Sequence, residues 1–370
     1  AVFVNGTQTV MEYFVGNSPA IRVRITSAKY NETTNRYTVL VRKKDEAFWV
    51  PSNPNFSVKV ADFDNYSMAE QTGYLRLLQK LSPDLVHFCM PQQPVLYGGK
   101  AITTIHDLTL LNTYNSDKNW FIFHFKQFVG RFVFRHVARK SEVVLVPTEY
   151  VKASLLSFAH VPSEKVVVTP EAADISELTP ATYQPMVGRD YIMYVGSQSD
   201  YKNIKRLIRA HQLLLKTHPD LQLVLVGKTD GKNGLSAARN KAWSEAAGHQ
   251  NVTFTGFVPD EQLAWLFTHA KAYVFPSLME GFGLPGLEAM LHGAPVVSSN
   301  TTCLPEVYGD AAEYFDPTNE SAMAGAIDGV ISNPENAETL RKKGYERAKL
   351  YSWQRMAEQT HAAYQKVLGL

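Results

Sequence analysis

The second half of the chain alternates short, continuously apolar runs with stretches whose apolar positions recur at helical spacing. The run DYIMYVG (Asp190 to Gly196) reads as a strand, and NIKRLIRAHQLLLKTHPD behind it as an amphipathic helix. LQLVLVG (Leu221 to Gly227) repeats the strand-then-glycine pattern, and NVTFTGFV (Asn251 to Val258) gives another strand. DEQLAWLFTHA follows as a helix with Asp260 as its expected N-cap, and AYVFP and APVVSS supply two further strands. Strands that are apolar throughout, rather than alternating, are buried on both faces. This half therefore predicts a parallel sheet covered by helices, a Rossmann-like domain from about Asp190 to Leu350.

The first half carries the same pattern less regularly, with AVFVNG, YTVLVRK, FSVKVA, LVHFC, AITTIHD, VVLVPT and KVVVTPE as candidate strands. Between Asp174 and Asp190 the segment ISELTPATYQPMVGR has two prolines and no periodicity, which marks a connector. The expected organisation is α/β, with domains over 1–180 and 181–350. The segment YSWQRMAEQTHAAYQKVLGL is expected to form a helix over 351–370 that opens on a Ser cap and packs back towards the first domain.

Composition narrows this picture without changing it. A chain of 370 residues exceeds the roughly 250 to 300 at which single cores stop growing. With 45% hydrophobic and 19% charged residues it has material for two cores and lacks the signature of disorder. A net charge of +2 argues against wholesale electrostatic binding of nucleic acid, so none is expected as a partner. Two isolated cysteines, Cys89 and Cys303, suggest neither a disulfide framework nor a zinc site and fit a reducing cytoplasm. No run reaches the 18 to 20 or so apolar residues of a membrane span, and the opening residues lack the layout of a signal peptide.

The segment VFPSLMEGFGLPGLEAMLHGAPVVSS concentrates the candidate chemistry. A buried strand ends at Pro276, a glycine-rich turn follows, and a helix begins near Leu284 to Pro285. Helix N-termini favour anions, and Gly281 and Gly283 let a ligand approach the backbone. Glu280 and Glu288 frame the turn, and each carboxylate accepts hydrogen bonds from hydroxyls. Glu-Gly-x-Gly alone reads equally well as an ordinary turn.

The longer string Glu-Gly-Phe-Gly-Leu-Pro-x-x-Glu-Ala-Met, after a strand and before Gly-x-Pro-Val-Val, resembles the retaining GT-B glycosyltransferases, in particular the mannosyltransferase-like members of glycosyltransferase family 4. The resemblance implies two Rossmann-like domains with the active site in the cleft between them. YVGSQSDYKNIKRLI resembles the family's strand, glycine and lysine-asparagine segment. It implies that Gly196, Ser197 and Lys202 meet the donor diphosphate, although many members carry Arg where this chain has Ser197. By the same resemblance Gly256, Phe257 and Val258 hold the nucleotide base, Gly227 and Lys228 line the donor site, and Gly281, Phe282, Gly283 and Leu284 form its turn. Glu280 orients the hexose and Glu288 the ribose. A bland alternative has Lys202 merely capping the next helix.

In the first half AITTIHDLTLL resembles the family's His-Asp element, which implies that His106 donates a hydrogen bond to the transferred hexose. The catalytic set implied is thus His106, Lys202 and Glu280. In VVLVPTEYVKASL, Thr148 and Glu149 read as helix-capping residues, and in VVVTPEAAD Glu171 stands where the family often has Asn. The chain departs most at its start, where Asn5-Gly6-Thr7 and Gly16 are all that correspond to the family's glycine-rich loop.

The reaction implied moves a hexose, foremost mannose from GDP-mannose, to a glycan or lipid-linked saccharide with retention of configuration. UDP-glucose or UDP-GlcNAc is the alternative donor. No metal and no obligatory cofactor is expected beyond the nucleotide-sugar co-substrate. A sugar phosphorylase, an epimerase or a non-catalytic nucleotide-sugar binding protein are the competing classes, separable by what happens to the donor. One further segment, Lys118 to Lys140, holds six Lys/Arg and no acid. A membrane-surface helix would place the protein at the inner face of the cytoplasmic membrane. However, Phe121, Phe125, Phe128 and Phe132 form one stripe while Phe123 and Phe134 lie nearly opposite, a distribution that favours burial.

Overall fold

The computed structural model describes residues 2–5, 8–11, 35–47, 50–51, 53–64, 67–112, 120–174, 179–227, 242 and 245–370. Contacts divide the chain into two units. The first is Ala1–Leu111, Phe125–Pro170 and Trp353–Leu370; the second is Asn112–His124 and Glu171–Ser352.

The strands of the first unit are β1 (Val2–Asn5), β2 (Gln8–Met11), β3 (Arg36–Val41), β4 (Phe56–Val60), β5 (Leu85–Phe88), β6 (Ala101–Thr104), β7 (Val143–Val146) and β8 (Val166–Val168). They form one sheet in the order β4-β3-β1-β2-β5-β6-β7-β8, parallel except where β1 pairs. All seven expected strands of this half form; β2, with the mixed sequence QTVM, was not foreseen. The helices are α1 (Leu75–Leu81), α2 (Thr109–Asn112), α3 (Trp120–Lys140) and α4 (Glu149–Ala159). The Thr148 hydroxyl accepts from the Val151 amide and so caps α4, as its sequence position predicts.

Strands β5, β6 and β7 are buried along their whole length, which is why they read as unbroken apolar runs. Ile105, Val144 and Val146 pack with Phe134 and Ala138 of α3 and with Val151 and Leu155 of α4. In another cluster Leu85, Ile102, Val143 and Leu145 pack with Ala363 and Tyr364 of the helix Trp353–Leu368. That contact is reinforced by a polar relay. His87 Nδ1 lies 2.7 Å from the Tyr364 hydroxyl and its Nε2 lies 2.7 Å from Thr104 Oγ1. Burial lowers the His87 pKa to about 3, so the ring is neutral and serves as a hydrogen-bonding spacer.

The second unit contains β9 (Tyr191–Val195), α5 (Ile204–Leu214), β10 (Gln222–Val226), β11 (Val252–Gly256), α6 (Asp260–His269), β12 (Ala272–Phe275), α7 (Leu284–Leu291), β13 (Val296–Ser299), α8 (Leu304–Tyr308), β14 (Ala312–Phe315), α9 (Glu320–Ile331) and α10 (Pro334–Ala348). Trp353–Leu368, which belongs to the first unit, is α11. The second sheet is wholly parallel, in the order β11-β10-β9-β12-β13-β14. Helix α5 buries Ile204, Leu207, Ile208, His211 and Leu214, the stripe its sequence spacing predicts. Two details differ from the sequence reading. The segment AEYF forms the edge strand β14, and Asp260 is the first residue of α6 rather than its cap, which is Pro259 with no side-chain bond. In that first turn the carboxylate still meets the positive end of the helix dipole.

Candidate active site

Counted by sequence within the second unit, the strand order is three, two, one, four, five, six, so it reverses between β9 and β12. In open α/β sheets the segments leaving the carboxyl ends of the strands diverge at such a point and open a crevice that accepts ligands. Lys202 follows β9 and Glu280 follows β12, which brings residues separated by a long stretch of sequence to this one place. Lys202 Nζ lies 2.7 Å from Glu280 Oε1, and each side chain is only 13% exposed. The ammonium also sits 5.1 Å from the Tyr201 ring centroid and 5.5 Å from that of Phe275. Burial works against its charge, but the Glu280 carboxylate, with Tyr194 and Tyr201, outweighs it and holds the Lys202 pKa above its ordinary value. Lys202 therefore does more than end a turn before α5.

Asn203 fixes the two loops to one another. It adopts a left-handed backbone (φ +61°), is buried, and donates through Nδ2 to the carbonyls of Pro276 (3.0 Å) and Pro317 (2.8 Å). Its Oδ1 accepts from Arg206 Nη1, and the Leu278 amide donates to the Tyr201 carbonyl. Asn203 thus ties the loop that carries Lys202 to the segment at Pro276 that leads to Glu280.

The glycine turn is supported from below. Gly283 has φ +104°, and its carbonyl accepts from the Tyr308 hydroxyl at 2.6 Å. A Cβ on Gly283 would lie 2.5 Å from that oxygen and 2.8 Å from Leu304 Cδ2, so the position excludes any side chain. Phe282 is buried and packs edge-on to Tyr351, with centroids 5.3 Å apart. Gly281 is buried too, and Leu284 opens α7, whose N-terminus carries the partial positive charge suited to an anion.

On the other side of the switch point, glycines end three adjacent strands. The Gly196 amide donates to the Val226 carbonyl and the Gly227 amide to the Gly256 carbonyl. A Cβ on Gly227 would come within 2.2 Å of the Gly196 oxygen. Phe257 is 60% exposed whereas Val258 is buried. Glu288, partly buried in α7, has its pKa raised to about 7, first by burial and then by the like charge of Asp260 at the start of α6. The Ser197 carbonyl accepts from the Tyr194 hydroxyl at 2.8 Å. The expected contact at Lys228 lies outside the described residues, as do Gly6, Thr7 and Gly16.

Sequence reasoning missed Gln198. It is buried, and its Oε1 has no hydrogen-bond partner among the described residues. An unmet buried acceptor costs about 1 to 3 kcal/mol, so such an atom beside a crevice invites a donor from a ligand. It also missed Tyr308, whose apolar context in LPEVYG reads as core.

His106 belongs to the first unit, just past β6, and its Nε2 lies 3.1 Å from the Cys89 carbonyl. Asp107 Oδ1 accepts from the Thr109 amide and so initiates α2. Of the Lys118 to Lys140 segment, Phe134 is buried as expected, but Phe128 and Phe132 are 73% and 60% exposed. The expectation of burial therefore fails for these two rings, and the side chains of Phe121, Phe123 and Phe125 lie outside the described residues. Among the described residues no group of three or more His, Cys, Asp or Glu is placed to hold a metal ion, and no helix is long and apolar enough to cross a membrane.

Two family models match the chain: "Glycosyltransferase Family 4" over residues 25–177 and "Glycosyl transferases group 1" over 180–347. The chain is 29% identical over 282 residues to the O-antigen chain mannosyltransferase B of Escherichia coli, spanning 72% of this chain and 70% of that protein. It is 30% identical over 242 residues to the MMP alpha-(1->4)-mannosyltransferase of Mycolicibacterium hassiacum, spanning 64% of this chain and 56% of that protein. Among solved structures, the sucrose-phosphate synthase of Thermosynechococcus elongatus superposes with a TM-score of 0.73 at 20% identity, covering 90% of this chain and 89% of that one. Anabaena HepE, solved in complex with UDP and glucose, gives 0.67 at 18% identity, covering 89% and 91%. The two family models share most of the chain between them, the strand order reverses at a switch point, and the solved neighbours share the fold: the chain belongs to the family 4 glycosyltransferases and is an enzyme of the GT-B fold.

Proposed function

We propose that the protein transfers mannose from GDP-mannose to a hydroxyl of a saccharide, free or lipid-linked, with retention of anomeric configuration. The observation that carries this reading is the Lys202–Glu280 pair at the switch point, a largely buried cation and carboxylate 2.7 Å apart beside a glycine turn and a helix N-terminus. Glycosyl transfer from a nucleoside diphosphate needs charge stabilisation on the departing phosphate and hydrogen-bond acceptors for the sugar hydroxyls. Lys202 and the start of α7 supply the first, and Glu280 the second. The mannosyltransferase names of both sequence relatives support mannose as the sugar.

In the reaction the bond between the sugar anomeric carbon and the diphosphate oxygen breaks, and a bond to the acceptor oxygen forms on the same face. The acceptor proton passes to the departing phosphate oxygen. Lys202 offsets the charge that develops there, with no external base required. Glu280 acts by orientation, since it is already engaged by Lys202 and is not set up as a nucleophile. Glu288 accepts from the ribose hydroxyls, and Gly256 to Val258 hold the base through their backbone. The charge on the diphosphate is met by these groups without a divalent ion, so chelation with EDTA is expected to leave turnover unchanged.

A thermal-shift panel of GDP-mannose, UDP-glucose, UDP-GlcNAc and ADP-glucose tests the donor, because a ligand of the native state raises its melting temperature. GDP-mannose is expected to give the largest rise and, with a saccharide acceptor, to release GDP as the α-linked product appears. A larger shift with a UDP-sugar, release of free epimerised nucleotide-sugar, or tight binding without turnover would each replace this reading.

A further inference from the structure

Helix α3 has two unlike sides. Its inner side places Phe134, Val137 and Ala138 in the core. Its outer side exposes Phe128 (73%) and Phe132 (60%) one turn apart, with Val129 (42%) beside them. At 3.6 residues per turn, Phe128, Arg131, Phe132, Arg135 and Arg139 fall within about 100° of arc. The aromatic rings and the guanidinium groups therefore share a single outward face.

The arginines are held at this face. Arg131 donates to the Leu111 carbonyl, Arg135 to the Phe158 carbonyl while lying 4.7 Å over the Phe158 ring, and Arg139 to the Ala159 carbonyl. Each tether uses one of the five guanidinium donors and fixes the side chain along the helix surface. From Lys118 to Lys140 six Lys/Arg stand with no Asp or Glu, so the charge along the helix is all of one sign.

We propose that the outer face of α3 docks this protein on an anionic phospholipid bilayer, with Phe128 and Phe132 entering the boundary between headgroups and acyl chains and the arginines meeting lipid phosphates. A convex helix offers no groove for a folded partner, whereas a bilayer yields around inserted rings. A second copy is disfavoured by charge, because a two-fold contact through this face would set the arginines of one copy against those of the other. Aromatic insertion and basic residues are the two signals that together give stable peripheral attachment, each basic residue being worth about 1 kcal/mol near an anionic surface. This interaction goes beyond the transfer reaction and is independent of which sugar is moved.

The test is co-sedimentation of the full chain with phosphatidylcholine vesicles with and without phosphatidylglycerol. Binding is expected only with phosphatidylglycerol. It should weaken at high salt and fall about tenfold or more in both F128S/F132S and R131E/R135E. Donor-induced thermal shift and transfer to a soluble saccharide, measured without vesicles, should be the same in F128S/F132S as in the unaltered chain. A failure of the membrane proposal is thereby distinguished from a failure of the transferase reading. Absence of binding, equal binding to both vesicle types, or full binding by the variants would overturn the proposal. So would a dimer in solution that F128S/F132S converts to a monomer, which would assign the face to a second copy.

Discussion

The Tyr308 hydroxyl donates to the Gly283 carbonyl at 2.6 Å from a fully buried position, so the glycine turn of the proposed donor site is held by a residue 25 positions downstream. Burial keeps the phenol well above its ordinary pKa, and it remains a donor at every working pH. Tyr308→Phe removes that donor and leaves the carbonyl only the Gly286 amide at 3.1 Å, a lost hydrogen bond worth about 0.5 to 1.5 kcal/mol. We expect a lower melting temperature and a donor KM raised about tenfold, with a smaller change in kcat. Steady-state kinetics with varied donor check this. Equal KM values in the variant and the parent would reduce Tyr308 to a packing role. Gly283→Ala should be worse, because its Cβ would meet the same hydroxyl at 2.5 Å.

Lys202 and Glu280 should behave as a unit. Breaking a buried pair strands one charge, a loss of about 3 to 5 kcal/mol for either single variant, and removing both charges costs less than the sum. A double-mutant cycle of Lys202→Met and Glu280→Gln, read by denaturant unfolding, is expected to show this coupling. Activity should follow a different rule. Each single variant loses about 100- to 1,000-fold in kcat, and the double variant recovers none of it, since the departing phosphate still lacks its cation.

With the proposed ribose contact at Glu288, donor binding is expected to depend on pH. Its pKa is raised from 4.5 to about 7 in the folded state, so its protonated form favours folding. That contribution is complete below about 4.5 and is lost as pH rises through 7, where ionisation costs about 1 to 3 kcal/mol. The ionised form is nevertheless the one that the proposed ribose contact requires as acceptor. Wild-type donor affinity is therefore expected to improve between pH 6 and 8 while thermal stability declines. Glu288→Gln should flatten both profiles and melt higher than wild type above pH 7. Unchanged slopes would remove Glu288 from the donor site.

The relay from Thr104 through His87 to Tyr364 should weaken in acid. The folded pKa of His87, about 3, lies below its unbound value of 6.5, so its stabilising contribution is present above 6.5 and is lost as pH falls towards 3. Tyr364→Ala removes a buried ring and the hydrogen bond to Nδ1, at a cost of about 3 to 5 kcal/mol. A thermal melt that shows no loss in this variant would mean that α11 contributes little to the first unit.

Much of this architecture is legible in sequence, because buried parallel strands must be apolar on both faces and so announce themselves; YIMYV, QLVLV and VVLV are examples. The edge strand β14 is less apolar and escapes that signal. The meeting of Lys202 with Glu280 beside the glycine turn is foreshadowed in the sequence because polar residues stand out next to glycines at strand ends. Gln198, Asn203 and Tyr308 are not, since their importance lies in unmet or exactly matched polar atoms that only three-dimensional neighbours define. The outward rings of α3 were misread for a related reason: a helical wheel shows that aromatics surround the helix without showing which side the core will take.

The pairing of α11 with β5, β6 and β7 also orders events in time. Tyr364 completes the cluster around Leu85, Ile102 and Val143, yet the ribosome makes it only after the whole of the second unit. The first unit to be synthesised is thus the last to close its core. During translation its apolar sheet face waits uncovered while the second unit folds, and this interval is where nascent-chain chaperones would have most to protect.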